Sequence, residues 1–348
     1  MKARATRISG NLNLVKVVVS AIILSAVATI FPLRSAGQDS ATQPSRALTP
    51  SGVETVKQNP LQIAILHWYS ANETTSFSVG SGSSPVAIAF DGASIWTANL
   101  LTNTVTKLQA SDGTTLGTFS VGTSPIGIAF DGANIWVTNS GSNSVTKLRA
   151  SDGSTLGTFS VGVAPYGVAF DGANIWVANS NSSSVTKLKA STGAVLGTFT
   201  VGLNPSGVAF DGANIWVANM GSASITKLRA SDGSVLGTFS TGTNPDSVAF
   251  DGTDMWVTNE GSNNVTKLQA SNGTVLGTFS VGPTPIGIAF DGADIWVANY
   301  GNNTVTKLQA SNGALLGTFP VGTSPYGIAF DGANIWVTNR NSFNVSKL

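Results

Sequence analysis

The chain predicts an all-β fold: a seven-bladed β-propeller of 40-residue, four-stranded repeats, closed by an N-terminal outer strand. Three observations carry this. The anchor "FDG" recurs every forty residues, at Phe90, Phe130, Phe170, Phe210, Phe250, Phe290 and Phe330, with no insertion. Each unit holds four short runs rich in Val, Ile, Thr, Phe and Trp, such as "IGIAF", "NIWVTN", "SVTKL" and "TLGTFSV", separated by turn clusters. The fourth-run Phe occurs six times after its own unit, and a seventh, Phe77, stands upstream of them all.

Each run has a reason to be a strand. None is long enough or suitably periodic for a helix. Asp-Gly between apolar runs marks a hairpin, because Gly accepts the positive φ of a tight turn. A lone blade cannot bury two Phe, a Trp and several Val or Ile, so blades need neighbours on both sides. The last copy stops at Leu348 before its fourth run. The "SFSVG" around Phe77 is therefore expected to supply the outer strand of the last blade. "IAILHWYS" aligns with the third run, and so does the C-terminus through Val345 and Leu348. That makes eight candidates for seven places, and Gln62–Tyr69 either adds an extra outer strand or competes with the last five residues.

Three segments are expected. Residues 1–36 read as a signal peptide or N-terminal anchor: Lys2, Arg4, Arg7 and Lys16 precede the apolar run Val17–Phe31. Cleavage could follow "AVA" at Ala26–Ala28 or "RSA" at Arg34–Ala36. Residues 37–60, rich in Ser, Thr, Pro and Gln, read as a flexible linker, and 61–348 as the propeller. The expected location is outside the cytoplasm: periplasm, medium or cell surface. The membrane is touched only through an uncleaved N-terminal segment, and the expected assembly is a monomer.

The chain has 39 Gly, 10% charged residues and no Cys. Its net charge is +1, but from Leu61 onward 11 Lys and Arg face 15 Asp and Glu, leaving the body at −4. That argues against a nucleic acid partner, which needs clustered basic groups. The lysines Lys107 through Lys347, one per blade, read as protection of strand edges.

"VGTSPIGIAFDGANIWVTNSGSNSVTKL" resembles the YVTN/YncE-like and NHL-type propeller repeats, and also the virginiamycin B lyase (streptogramin lyase) group, over Phe77–Leu348. The lyase branch implies a metal-assisted elimination by His and Glu side chains at one mouth. Gluconolactonase-like propellers imply a metal held by acidic and Asn side chains at the central channel. The chain has one His, His67, which precedes the complete repeats. In an apolar outer strand it reads as structural, and no Ser–His–Asp arrangement forms around it.

The repeated polar residues read as structure. Asp91, Asp131, Asp171, Asp211, Asp251, Asp291 and Asp331 each precede Gly, where the side chain caps turn N–H groups. Asn99, Asn139, Asn179, Asn219, Asn259, Asn299 and Asn339 each close the second strand. No catalytic residue, metal ligand or cofactor is therefore assigned. Function is sought where the copies differ, since loops on a rigid frame carry it. Leu100, Ser140, Ser180, Met220, Glu260, Tyr300 and Arg340 occupy one variable position, and Val86, Ile126, Tyr166, Ser206, Asp246, Ile286 and Tyr326 another. Both lie on the face opposite the Asp-Gly turns. Asp246, Glu260, Tyr300, Tyr326, Arg340, Phe343, Leu100 and Leu101 are the candidate partner-binding arc. The expected function is a binding scaffold for a protein or small-molecule ligand at that face. The alternative is a metal-dependent lyase or lactone hydrolase of the lyase or gluconolactonase-like type.

Overall fold

A computed structural model describes residues 75–348 of the chain. Residues 1–36 and 37–60, expected as an N-terminal signal or anchor and a linker, lie outside the described residues, as do Gln62–Tyr69 and His67. Seven four-stranded antiparallel sheets follow one another as blades. In the second blade the strands are Pro125–Phe130, Asn134–Asn139, Ser144–Arg149 and Thr155–Ser160, ordered from the channel outward.

The ring closes as the count of Phe residues requires. In the last blade, Pro325–Phe330, Ile335–Asn339 and Asn344–Lys347 are followed by Thr75–Ser78 as the fourth strand. Phe77 lies opposite Val345, and its ring stacks on Trp336 at 5.5 Å. The other six blades repeat this stack, at 5.4–5.7 Å. Among the described residues, Asn344–Lys347 fills the third place of the last blade.

The core sits between blades rather than inside one. Trp96 and Val105 of the first blade pack with Ile135, Val137 and Leu148 of the second, all fully buried. Each such side chain contributes about 1.5–3 kcal/mol. The outer Phe reaches forward to a glycine: a Cβ on Gly153 would stand 2.1 Å from Phe119, and its φ of +75° already favours glycine.

The repeated polar residues complete this packing. Asp91 Oδ1 accepts the backbone N–H of Ala93 and Ser94, while Oδ2 accepts the Trp96 indole N–H at 2.7 Å. Asn179 Nδ2 donates to Ser184 and Thr186, and its Oδ1 accepts the Gly162 N–H.

The lysines correct the sequence reading. Lys107 is 9% exposed. Its Nζ donates to the carbonyl of Ala150 in the next blade at 2.7 Å and stands 5.1 Å from the centre of the Trp96 ring. They serve as latches between blades, because the third strand is covered by the fourth and has no free edge to protect.

Candidate functional site

Each inner strand opens with Pro, and the residue after it is the most variable of the strand. In blades three to seven a bulge follows that Pro: Pro165 pairs with Asn179, and pairing resumes only at Val168 with Val177. Tyr166 and Gly167 thus leave the ladder. A bulge re-aims side chains, and here it sets Tyr166, Asp246 and Tyr326 toward one another across the ring. The following glycine is held by close approach of the neighbouring strand: a Cβ on Gly167 would meet the Ser206 carbonyl at 2.2 Å.

The hydroxyls of Tyr166, in blade three, and Tyr326, in blade seven, share a hydrogen bond. Tyr166 also donates to Asp246 Oδ2 of blade five, a long bond of 3.4 Å. The second oxygen, Oδ1, accepts the Ser247 hydroxyl at 3.0 Å. Asp246 is 2% exposed. Burial pushes its carboxyl up to about 7, the Glu260 carboxylate adds to the rise, and the bonds from Ser247 and Tyr166 oppose it. Burial and the nearby Asp246 also raise both tyrosines above the usual phenol range. This is a neutral hydroxyl pair beside a carboxyl whose burial favours its protonated form.

Charged and aromatic groups surround the network. The Tyr300 ring meets Tyr326 edge to face, with centres 6.3 Å apart. Arg340 Nε donates to Ser84 Oγ at 3.2 Å, tying blade seven to the loop entering blade one. Its charge acts on Tyr326 against the rise. A cavity of about 170 Å³ lies in the channel, bounded by the second to fourth residues of the inner strands. Its polar side chains are Tyr166, Tyr326 and Ser247, and Val86, Ile126 and Ile286 are among its apolar walls.

Of the expected arc, the structure brings Asp246, Glu260, Tyr300, Tyr326 and Arg340 to one mouth. Leu101 is 66% exposed, the Leu100 N–H donates to the Ser84 carbonyl as Glu260, Tyr300 and Arg340 donate in their own blades, and the Phe343 carbonyl accepts the Val79 N–H as the Asn103 carbonyl accepts that of Val121. Tyr166 is the residue that the arc lacked. It shares a repeat position with Asp246 and Tyr326, and two Tyr and one Asp among small or aliphatic residues were the available signal. Among the described residues, no three acidic, His or Cys side chains converge as a metal site requires.

No protein-family model matches the chain, and no curated protein matches it. Solved structures do. The chain is similar to hydrazine synthase of Kuenenia stuttgartiensis, with TM-score 0.69 and 20% identity over 77% of this chain and 96% of that one. It is similar to a streptogramin B lyase, with TM-score 0.68 and 20% identity over 79% and 96%. A catalytically inactive virginiamycin B lyase from Staphylococcus aureus with quinupristin matches with TM-score 0.69 and 19% identity, over 79% and 98%. This chain is a seven-bladed propeller of that architecture. At such identity the likeness shows the fold alone.

Proposed function

We propose that the protein is a ligand-binding propeller, and that its site is the mouth at the variable loop face, centred on Tyr166, Asp246 and Tyr326. One observation carries this reading. Three side chains from blades three, five and seven meet across the channel in a bonded network, while the surrounding frame is copied almost unchanged. A rigid ring holding a few convergent polar groups beside an apolar cavity has the form of a small-molecule site. Glu260, Tyr300 and Arg340 extend it outward, with acidic, aromatic and basic chemistry on adjacent blades.

The test is a thermal-shift screen of the full chain against amines, amino acids, short peptides and lactones. At least one class should raise the unfolding temperature. Replacing Glu260, Tyr300 and Arg340 together by Ala should weaken its binding at least about tenfold, since single anchors exceed about 1 kcal/mol. A control replaces the exposed turn-face residues Ser151, Ser191 and Ser231 by Ala and should bind as wild type. Loss of binding in the control alone would place the site on the wrong face. Turnover of a streptogramin or lactone that depends on added magnesium would instead favour the lyase or lactone hydrolase.

A further inference from the structure

Asp254 and Asp246 are both buried residues, and they are treated differently. Asp254 Oδ2 sits 3.1 Å from the Lys267 ammonium. Asp246, the more buried at 2% exposure, receives only hydroxyls, from Ser247 and Tyr166. Within the described residues no Lys or Arg nitrogen lies within 4.0 Å of it. A buried carboxylate is ordinarily paired with a cation. Here no basic side chain among the described residues pairs with it, and a second acid, Glu260, stands nearby at the mouth of the channel.

The surroundings fit one kind of cation. A metal ion is ordinarily held by several converging carboxylates, and no group of three acidic, His or Cys side chains forms among the described residues. Three tyrosine rings, Tyr166, Tyr300 and Tyr326, stand at the same mouth. Aromatic rings with carboxylates receive alkylated ammonium groups, through cation–π attraction and charge pairing together. Val86, Ile126 and Ile286 line the adjoining cavity of about 170 Å³. An apolar cavity of roughly 150 Å³ holds a benzene-sized molecule, so there is room for a short hydrocarbon tail. The Arg340 guanidinium lies on the blade-seven side and donates to Ser84, which leaves the acidic side of the mouth to the ligand.

We propose that the mouth binds a small organic ammonium ion, its charge received by Asp246 and Glu260 among Tyr166, Tyr300 and Tyr326 and its hydrocarbon tail lying in the channel. This rests on the mouth being the binding site. Binding needs the ionised carboxylate, so it is coupled to loss of the Asp246 proton. The groups facing that carboxyl are Ser247 on its own strand, Glu260 in its own blade, Tyr166 of blade three, and Tyr326 of blade seven. None of them supplies a positive charge.

The test is calorimetric titration of the full chain with butylammonium, using 1-butanol and butyrate as neutral and anionic counterparts. Butylammonium should bind at about pH 8 at least roughly tenfold more tightly than either counterpart. It stays charged throughout, as a lysine amine does. Its affinity should fall about 100-fold by about pH 5, because the ionised, competent fraction falls by that factor. Asp246→Asn should remove both the binding and its pH dependence, and the surface change Glu260→Gln should weaken binding severalfold at every pH. Butylammonium binding no better than butanol, or unchanged in Asp246→Asn, overturns the ammonium assignment. If another class from the screen still loses affinity in the Glu260, Tyr300 and Arg340 triple variant, only the ligand class was wrong. If that variant binds normally, the mouth is not the site.

Discussion

In blade four, Asp211 receives the Trp216 indole N–H at 2.8 Å, and the same bond recurs in all seven blades at 2.7 or 2.8 Å. In the same blade Ser206, at the mouth, has Tyr166 on one side and Asp246 on the other. The turn side of a blade sets its packing against two neighbours. A change there breaks a Trp cap, a lysine latch and an inter-blade core together. The residue after the inner Pro stands near the channel instead, outside the Trp caps and lysine latches, and differs from blade to blade. Uniformity therefore marks the groups that close the ring, and divergence marks the mouth proposed above as the binding site.

The most severe way to break the uniform half is to remove its clasp. Deleting Leu61–Gly80 takes the outer strand from the closing blade and leaves Trp336 without the Phe77 stack. Phe77 is half-buried, so its loss costs part of the roughly 3–5 kcal/mol of a fully buried aromatic. The lost strand pairing adds to this, and an unpaired edge promotes association. The deletion should unfold at least roughly 10 °C lower and run partly as oligomers on gel filtration. Equal melting and equal monomer content would mean that the ring closes without this strand.

The mouth should show the reverse pattern: a polar group that weakens the fold when charged. Asp246 titrates at about 7 in the folded protein, above the ordinary carboxylate value near 4. The folded state thus binds the extra proton between those values. This contribution to stability is complete below about pH 4 and is lost as pH rises through about 7. Asp246→Asn should therefore gain stability on wild type as pH rises, by a few kcal/mol at about pH 8. Urea unfolding of both chains at several pH values gives the difference directly. A flat difference would place Asp246 in contact with solvent or with a cation.

A smaller effect tests the latches. Lys187 is 7% exposed, donates to the Ala230 carbonyl at 2.7 Å and lies over Trp176. Lys187→Met keeps the aliphatic stem but leaves that carbonyl unpaired, and should cost about 2 kcal/mol in urea unfolding. No loss would return the lysines to the role of solvated edge residues. The smallest change is expected at Leu101, whose side chain is 66% exposed. Leu101→Ser should shift stability by no more than about 0.5 kcal/mol. It should also leave ligand affinity unchanged, narrowing the arc to blades three to seven.

Much of this architecture was legible in the residues. The spacing of Phe90 to Phe330, the Asp-Gly turns and the stray Phe77 suffice for blade number and closure, because each reports a local rule or a count. The mouth was legible only in part. Asp246, Glu260, Tyr300, Tyr326 and Arg340 stood out as departures from the repeat. Leu100, Leu101 and Phe343 stood out equally, yet no hydrogen bond or aromatic contact described for them joins the Tyr166, Asp246 and Tyr326 network.

Repetition at forty residues, turn chemistry and aromatic counting were determined by the sequence itself, since each acts over one blade or between adjacent copies. Two things were decided only by the tertiary structure. Lys107 and its equivalents look like surface charges until the fourth strand and the next blade enclose them. Tyr166, Asp246 and Tyr326 are 80 and 160 residues apart along the chain. They become neighbours because a closed ring sends its inner strands to one axis, and a bulge after each of their prolines turns their side chains toward it.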